Sequence, residues 1–191
     1  MGEALEALTD IASDGMRAGN VIRRLRSLLR GDEAEMTPIK INELILEVVD
    51  LVHSESVIQN IQTDLELCPD MPLVLGDRTQ LQQVLLNLVL NAGEAMRQLE
   101  NGGRKITIST EIQDGSTARV SVSDTGPGID KEHFNQIFEP FFTTKSSGIG
   151  MGLSINRTIV ESFGGRMWAE NAPGGGAVIS FSLPVHAKEE P

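Results

Sequence analysis

The sequence has one cysteine, Cys68, so no internal disulfide can form, and a reducing, cytoplasmic setting suits it. Long apolar runs are also missing. The stretch LLNLVL at 85–90 is broken by Asn87, and no run approaches a membrane span. Positive charge is scarce: 16 Lys and Arg stand against 27 Asp and Glu, a net charge of −11. That balance argues against nucleic acid or an anionic membrane surface as the main partner. A nucleotide stays open, because one triphosphate answers to local donors rather than to total charge. The opening MGEALEALTD lacks a signal-peptide core, and position 6 is Glu6 rather than the Ser or Thr of a myristoylation signal. Two common phosphate-binding signatures are absent as well. No Gly-Lys-Ser or Gly-Lys-Thr occurs, and Leu153 stands where a dinucleotide fingerprint would end in glycine.

What is present suits an ordinary fold. At 191 residues and 40% hydrophobic content, the chain can form one compact domain plus an appendage. Residues 3–30 read as one helix, with Leu8, Ile11, Gly15, Ala18, Ile22, Leu25 and Leu29 stepping by three and four as in a helical bundle. Residues 31–38 read as a linker, 39–185 as the main domain and 186–191 as a disordered tail. Within that domain the periodicity predicts helices over 42–53, 77–99 and 151–163, the second starting at an Asp77 cap. It predicts strands over 61–67, 105–113, 118–124, 166–172 and 177–184, the last four in two hairpins. The expected class is therefore α+β: a two-layer sandwich with a mixed, mostly antiparallel sheet and helices on one face, preceded by one long helix.

Three stretches carry chemistry. On the 77–99 helix, Gln80, Gln83, Asn87, Asn91 and Glu94 fall within an arc of roughly 80°, at about 100° per residue. A polar stripe on a core helix is often only its wet side. Two asparagines one turn apart can instead offer neutral oxygens to a hard cation such as Mg²⁺. In VSVSDTGPGI (120–129), Asp124 continues the face set by Val120 and Val122. A carboxylate there needs a donor, and the exocyclic amine of adenine is one; guanine offers an acceptor instead. The alternative is an exposed turn. In TTKSSGIGMGLSI (143–155), Gly148, Gly150 and Gly152 lead into a helix whose main-chain N–H groups can bind phosphate oxygens, with Lys145 nearby. A merely flexible loop is equally compatible with that stretch alone. Between them, IFEPFFTTK (137–145) has the aromatic anchors of a mobile lid.

In this order, NLVLNAGEA (87–95), DTGPGI (124–129), IFEPFFTTK (137–145) and GIGMGL (148–153) resemble the N, G1, F and G2 boxes of sensor histidine kinases. These belong to the ATPase superfamily that includes gyrase, Hsp90 and MutL, with the Bergerat ATP-binding fold. The DTGPGI and FFTTK forms resemble the oxygen- and nitrogen-sensing branch. MRAGNVIRRLRSLLRG (16–31) is similar to the second helix of the family's dimerisation hairpin. The resemblance implies ATP and Mg²⁺ as cofactors, with Asn91 on the metal and Asn87 on the phosphates. Asp124 would hold the adenine amine, walled by Gly126, Gly128 and Ile129. Phe142, Thr144 and Lys145 would lie on the lid, and Gly148, Gly150, Met151, Gly152 and Leu153 along the triphosphate. It also implies a homodimer through the N-terminal helix, a response regulator as partner, and a cytoplasmic location without direct membrane contact.

The departures are specific. The family's histidine motif is missing: His53, His133 and His186 read as structural or solvent residues, so no catalytic residue is assigned and the phosphate acceptor is expected outside this chain. Glu94 stands where many relatives carry a lysine. Ala177 and Val178 replace threonines often found beside the adenine pocket, which implies one water-mediated contact fewer. An ATP-hydrolysing switch of the same superfamily is the first alternative, but hydrolases place a Glu where Asn87 stands, and an amide cannot act as a general base. A non-catalytic nucleotide-binding dimerisation module is the second.

Overall fold

The computed structural model describes residues 36–58, 60–97, 99, 103–144 and 149–186. The predicted 3–30 helix, most of the 31–38 linker, Lys145, Gly148 and residues 187–191 lie outside the described residues. The chain begins with β1 (Thr37–Ile39), α1 (Ile41–Ile58), β2 (Gln62–Glu66), β3 (Val74–Gly76) and α2 (Arg78–Ala95). It continues with β4 (Lys105–Gln113), β5 (Thr117–Asp124), α3 (Gly152–Ser162), β6 (Arg166–Asn171) and β7 (Ala177–Pro184). Two short 3₁₀ turns, Lys131–His133 and Gln136–Phe138, lie between β5 and α3.

The main sheet has five strands in the order β2-β4-β5-β7-β6. Only β2 and β4 run parallel; the other neighbours are antiparallel. Alternation along the strands gives each face its character. Ile106 and Ile108 on β4, Ala118, Val120 and Val122 on β5, and Phe181 and Leu183 on β7 are buried. Also buried are Leu44, Ile45 and Val48 of α1, Leu81, Leu85 and Leu88 of α2, and Ile155 and Ile159 of α3, spaced by three and four as helix faces require. The other face is polar. Arg119 and Arg166 flank the Trp168 ring at 5.1 and 4.9 Å, and the Ser121 and Ser180 hydroxyls are 2.9 Å apart. The expected α+β sandwich is therefore present.

Local chemistry fixes the element ends. Asp77 caps α2, its side chain accepting from the Gln80 N–H at 2.9 Å. The helix stops at Ala95 rather than near 99: the bonds tighten to three-residue spacing, Met96 N–H to the Gly93 carbonyl and Arg97 N–H to the Glu94 carbonyl. Thr37 and Pro38, read as the end of a linker, instead pair with Gly76 and Leu75. The sequence gives little sign of a three-residue strand containing proline. His186, assigned to the tail, donates its main-chain N–H to the Leu73 carbonyl at 2.7 Å.

Candidate nucleotide site

The site lies along α2. Most of that helix faces the core, and the polar stripe is its open side: Gln80, Gln83 and Asn91 are half-buried and Glu94 is exposed. Asn87 is buried, at 7% exposure, in a stretch otherwise filled by Val84, Leu85 and Leu88.

At the C-terminal end of α2 stands Asp124, the last residue of β5. It keeps the inward register of Val120 and Val122 and is 8% exposed. Its Oδ1 accepts from the Gly126 N–H at 2.8 Å and the Ala177 N–H at 3.2 Å. Both bonds fall on one oxygen, so Oδ2 accepts from none of the described residues. Burial pushes this carboxyl above the usual aspartate value, and the two main-chain donors oppose that shift. Two glycines make the arrangement possible. A Cβ on Gly126 would stand 2.8 Å from Asp124 Oδ1 and 3.5 Å from the Ala95 side chain. A Cβ on Gly176 would collide with the Asp124 carbonyl oxygen, and Gly176 has φ +88°. The main chain at Ala177 thus reaches the carboxylate although its side chain offers no hydroxyl.

At the other end, α3 begins at Gly152, where a Cβ would stand 3.0 Å from both polar atoms of the Asn87 amide. Met151 caps the helix, its carbonyl accepting from Ile155 N–H at 3.2 Å and Ser154 Oγ at 3.0 Å. Leu153 is half-buried in the first turn. The first N–H groups of α3 therefore start beside Asn87. Gly150 has a different task. With φ +71°, its missing Cβ leaves room for the main chain of Phe141 and Phe142, which would lie 2.5 Å away. Phe142 is held against the His133 ring, centroids 5.1 Å apart, while Thr144 is exposed. Phe138 is buried under the Arg157 guanidinium, 5.7 Å from its ring.

α2 therefore measures the site. From Asn87 to Ala95 the helix rises about 12 Å, a span that an extended nucleoside triphosphate covers. The structure brings Asp124 and Gly126 to one end and Asn87 and Gly152 to the other, with Asn91 between them on the same helix. Gly128 and Ile129 are secured by a residue with no signal in the sequence, Asn171, whose amide bonds the Ile129 main chain twice. In ENAPGGG an asparagine reads as a turn residue. Among the described residues no cluster of three His, Cys, Asp or Glu could hold a metal; the polar stripe of α2 offers the amide oxygens of Asn87 and Asn91 and the Glu94 carboxylate. No helix among them is long and apolar enough to cross a membrane.

Comparison with known proteins shows the family and the fold. Residues 76–187 match the family described as histidine kinase-, DNA gyrase B- and HSP90-like ATPases. The sensor protein FixL of Bradyrhizobium diazoefficiens is 43% identical over 179 residues, covering 94% of this chain and 35% of that protein. The chain thus spans about a third of the length of that curated relative. Among solved structures, the catalytic domain of histidine kinase ThkA superposes with a TM-score of 0.70 at 42% identity, covering 79% of this chain and 98% of that one. ThkA in complex with the response regulator protein TrrA gives a TM-score of 0.76 at 36% identity, covering 94% of this chain and 51% of that one.

Proposed function

Because the chain belongs to the histidine kinase-, DNA gyrase B- and HSP90-like ATPase family, we propose that it is the ATP-binding catalytic domain of a two-component sensor histidine kinase. In this reading Asp124 Oδ2 accepts from the adenine amine while Oδ1 stays tied to Gly126 and Ala177. Gly126, Gly128 and Ile129 wall the purine. The open side of α2 carries the polyphosphate: Asn87 contacts it beside the start of α3, and Asn91 supplies an amide oxygen to Mg²⁺. Bound Mg²⁺ supplies charge neutralisation on the phosphates. The N–H groups of Gly150, Met151, Gly152 and Leu153 would orient the phosphate oxygens, with Phe142, Thr144, Lys145 and Gly148 contributed by the lid. Catalysis is then positioning and electrostatic stabilisation of the γ-phosphoryl group. The acceptor is a histidine on another segment, since His53 and His133 lie off the stripe and His186 sits against Leu73.

One observation carries the reading: at the C-terminal end of α2 stands a buried carboxylate with one oxygen that accepts from none of the described residues, and about two turns back along that helix the glycine start of α3 meets the Asn87 amide. The relatives support a response regulator as downstream partner, since ThkA is described bound to one. The homodimer through residues 3–30 and a cytoplasmic location complete the proposal. Hydrolysis is not favoured, because the Asn87 amide cannot activate water. The direct test supplies a histidine-bearing segment in trans with γ-labelled Mg·ATP. Acid-labile label on that segment supports the reading. ATP binding with no transfer to any such segment contradicts the kinase assignment.

A further inference from the structure

Ile129 is held from outside its own loop. Asn171, the last residue of β6, accepts at Oδ1 from the Ile129 N–H and donates from Nδ2 to the Ile129 carbonyl, each at 2.8 Å. One planar amide thus satisfies both main-chain groups of a single residue, as a neighbouring strand would. Asn171 Oδ1 also lies 3.0 Å from where a Cβ on Gly128 would stand, and Gly128 has φ +83°. On the far side of the β6–β7 turn, Gly176 lies against the Asp124 carbonyl and the Ala177 N–H reaches Asp124 Oδ1 at 3.2 Å. The turn between β6 and β7 therefore grips the 124–129 segment at both ends.

Among the described residues little else holds the second half of that segment. Asp130 to Asn135 form only short 3₁₀ structure, and Pro127 has no N–H to give. We infer that Asn171 is a positioning residue for the nucleotide site, fixing the Gly128–Ile129 wall in its binding shape before nucleotide arrives. The inference rests on the reading of 124–129 as the purine pocket. A wall already ordered spares the ligand the cost of ordering it, so the clamp acts on affinity rather than on the transferred group.

The test titrates the full chain and its Asn171 variants with ATP, ADP and adenosine by calorimetry. Asn171→Ala is expected to weaken all three by the same factor, about three- to tenfold for two neutral hydrogen bonds at an exposed site. Asn171→Asp keeps the acceptor and loses the donor, and should fall between. With a histidine-bearing acceptor, KM for ATP should rise while kcat stays unchanged, a split that general loss of structure would not produce. In the nucleotide-free chain the Ile129 amide should exchange faster in Asn171→Ala, with the β4–β5 amides unmoved. Parent-like affinity in Asn171→Ala, in a chain that binds ATP, overturns the clamp and leaves the pocket standing. A parent chain that binds no adenine ligand overturns the pocket reading and the clamp with it. Should Asn171→Ala fail to fold, Asn171→Asp carries the comparison, and parent-like affinity there with a fast-exchanging Ile129 amide in the parent overturns it.

Discussion

Asp124 is buried with two main-chain donors on one oxygen, and burial still outweighs them, so its carboxyl titrates above the ordinary 3.8 of an aspartate. The sign follows from linkage. A proton is held more tightly in the folded chain, so this group's contribution to stability is fully present below the unfolded value and is lost as pH rises through the raised one. At neutral pH the ionised side chain works against the nucleotide-free fold. Asp124→Asn should therefore melt no lower than the parent at pH 7, with the difference shrinking as pH falls through the carboxylate range. The same variant should bind ATP about ten- to a hundredfold more weakly, the worth of a hydrogen bond to a charged group. Parallel melts and titrations check both. Unchanged ATP affinity would remove Asp124 from the pocket, and a clear loss of stability would make it a structural residue. Asn91→Ala should bind ATP equally with Mg²⁺ and with chelator, where the parent binds more tightly with the metal; residual tightening in the variant contradicts the metal role. Single residues were unevenly legible. The alternation Val120, Val122, Asp124 is enough to turn the carboxylate inward, and the stripe on α2 marks Asn87 and Asn91. Asn171 was not legible, because its partner Ile129 lies 42 residues away and offers only its main-chain N–H and carbonyl to the asparagine amide.

The helices and hairpins show their periodicity because each buries one face. Short strands β1 and β3 do not, since three residues hold no period and their pairing spans the whole of α1. Nor does a strand pattern reveal its partner: β2 reads as a strand, but its parallel pairing with β4 depends on the sheet. The glycine loop is the element where sequence and structure divide the work differently. Gly152 faces Asn87, whereas Gly150 makes room for the main chain at 141–142. Gly150→Ala combines a left-handed φ with a Cβ 2.5 Å from main-chain atoms. It should cost at least about 1–2 kcal/mol, read as a lower urea midpoint with the m-value unchanged. A midpoint equal to the parent's would show that the loop relaxes freely. α3 is tied to α2 by the buried Asn156, whose Nδ2 donates to the Val84 carbonyl at 3.3 Å. Asn156→Ala should destabilise the domain by about 1–3 kcal/mol through the lost hydrogen bond and the lost packing at a buried site, although the Val84 carbonyl keeps its partner within the helix.

For the whole molecule, the class was legible from composition and order of elements, and the site from four weak stretches that became one only in sequence. Net charge −11 sets the background against which an anionic ligand must bind. In the proposed reading, affinity rests on local donors and on the metal, not on the field of the chain. No proposed contact lies before residue 36, so deleting residues 1–35 should leave ATP affinity within about twofold while turning a dimer into a monomer by light scattering. Loss of ATP binding on that deletion would contradict the assignment of the whole pocket to residues 87–177.

The central claim is that Asp124 selects adenine through its amine. Calorimetric titration of the chain with Mg·ATP and, separately, Mg·GTP tests it most directly. The account predicts one saturable site for ATP, with GTP at least about tenfold weaker because guanine turns an acceptor toward the carboxylate. Equal affinity for the two nucleotides, or no saturable heat with ATP, would contradict it.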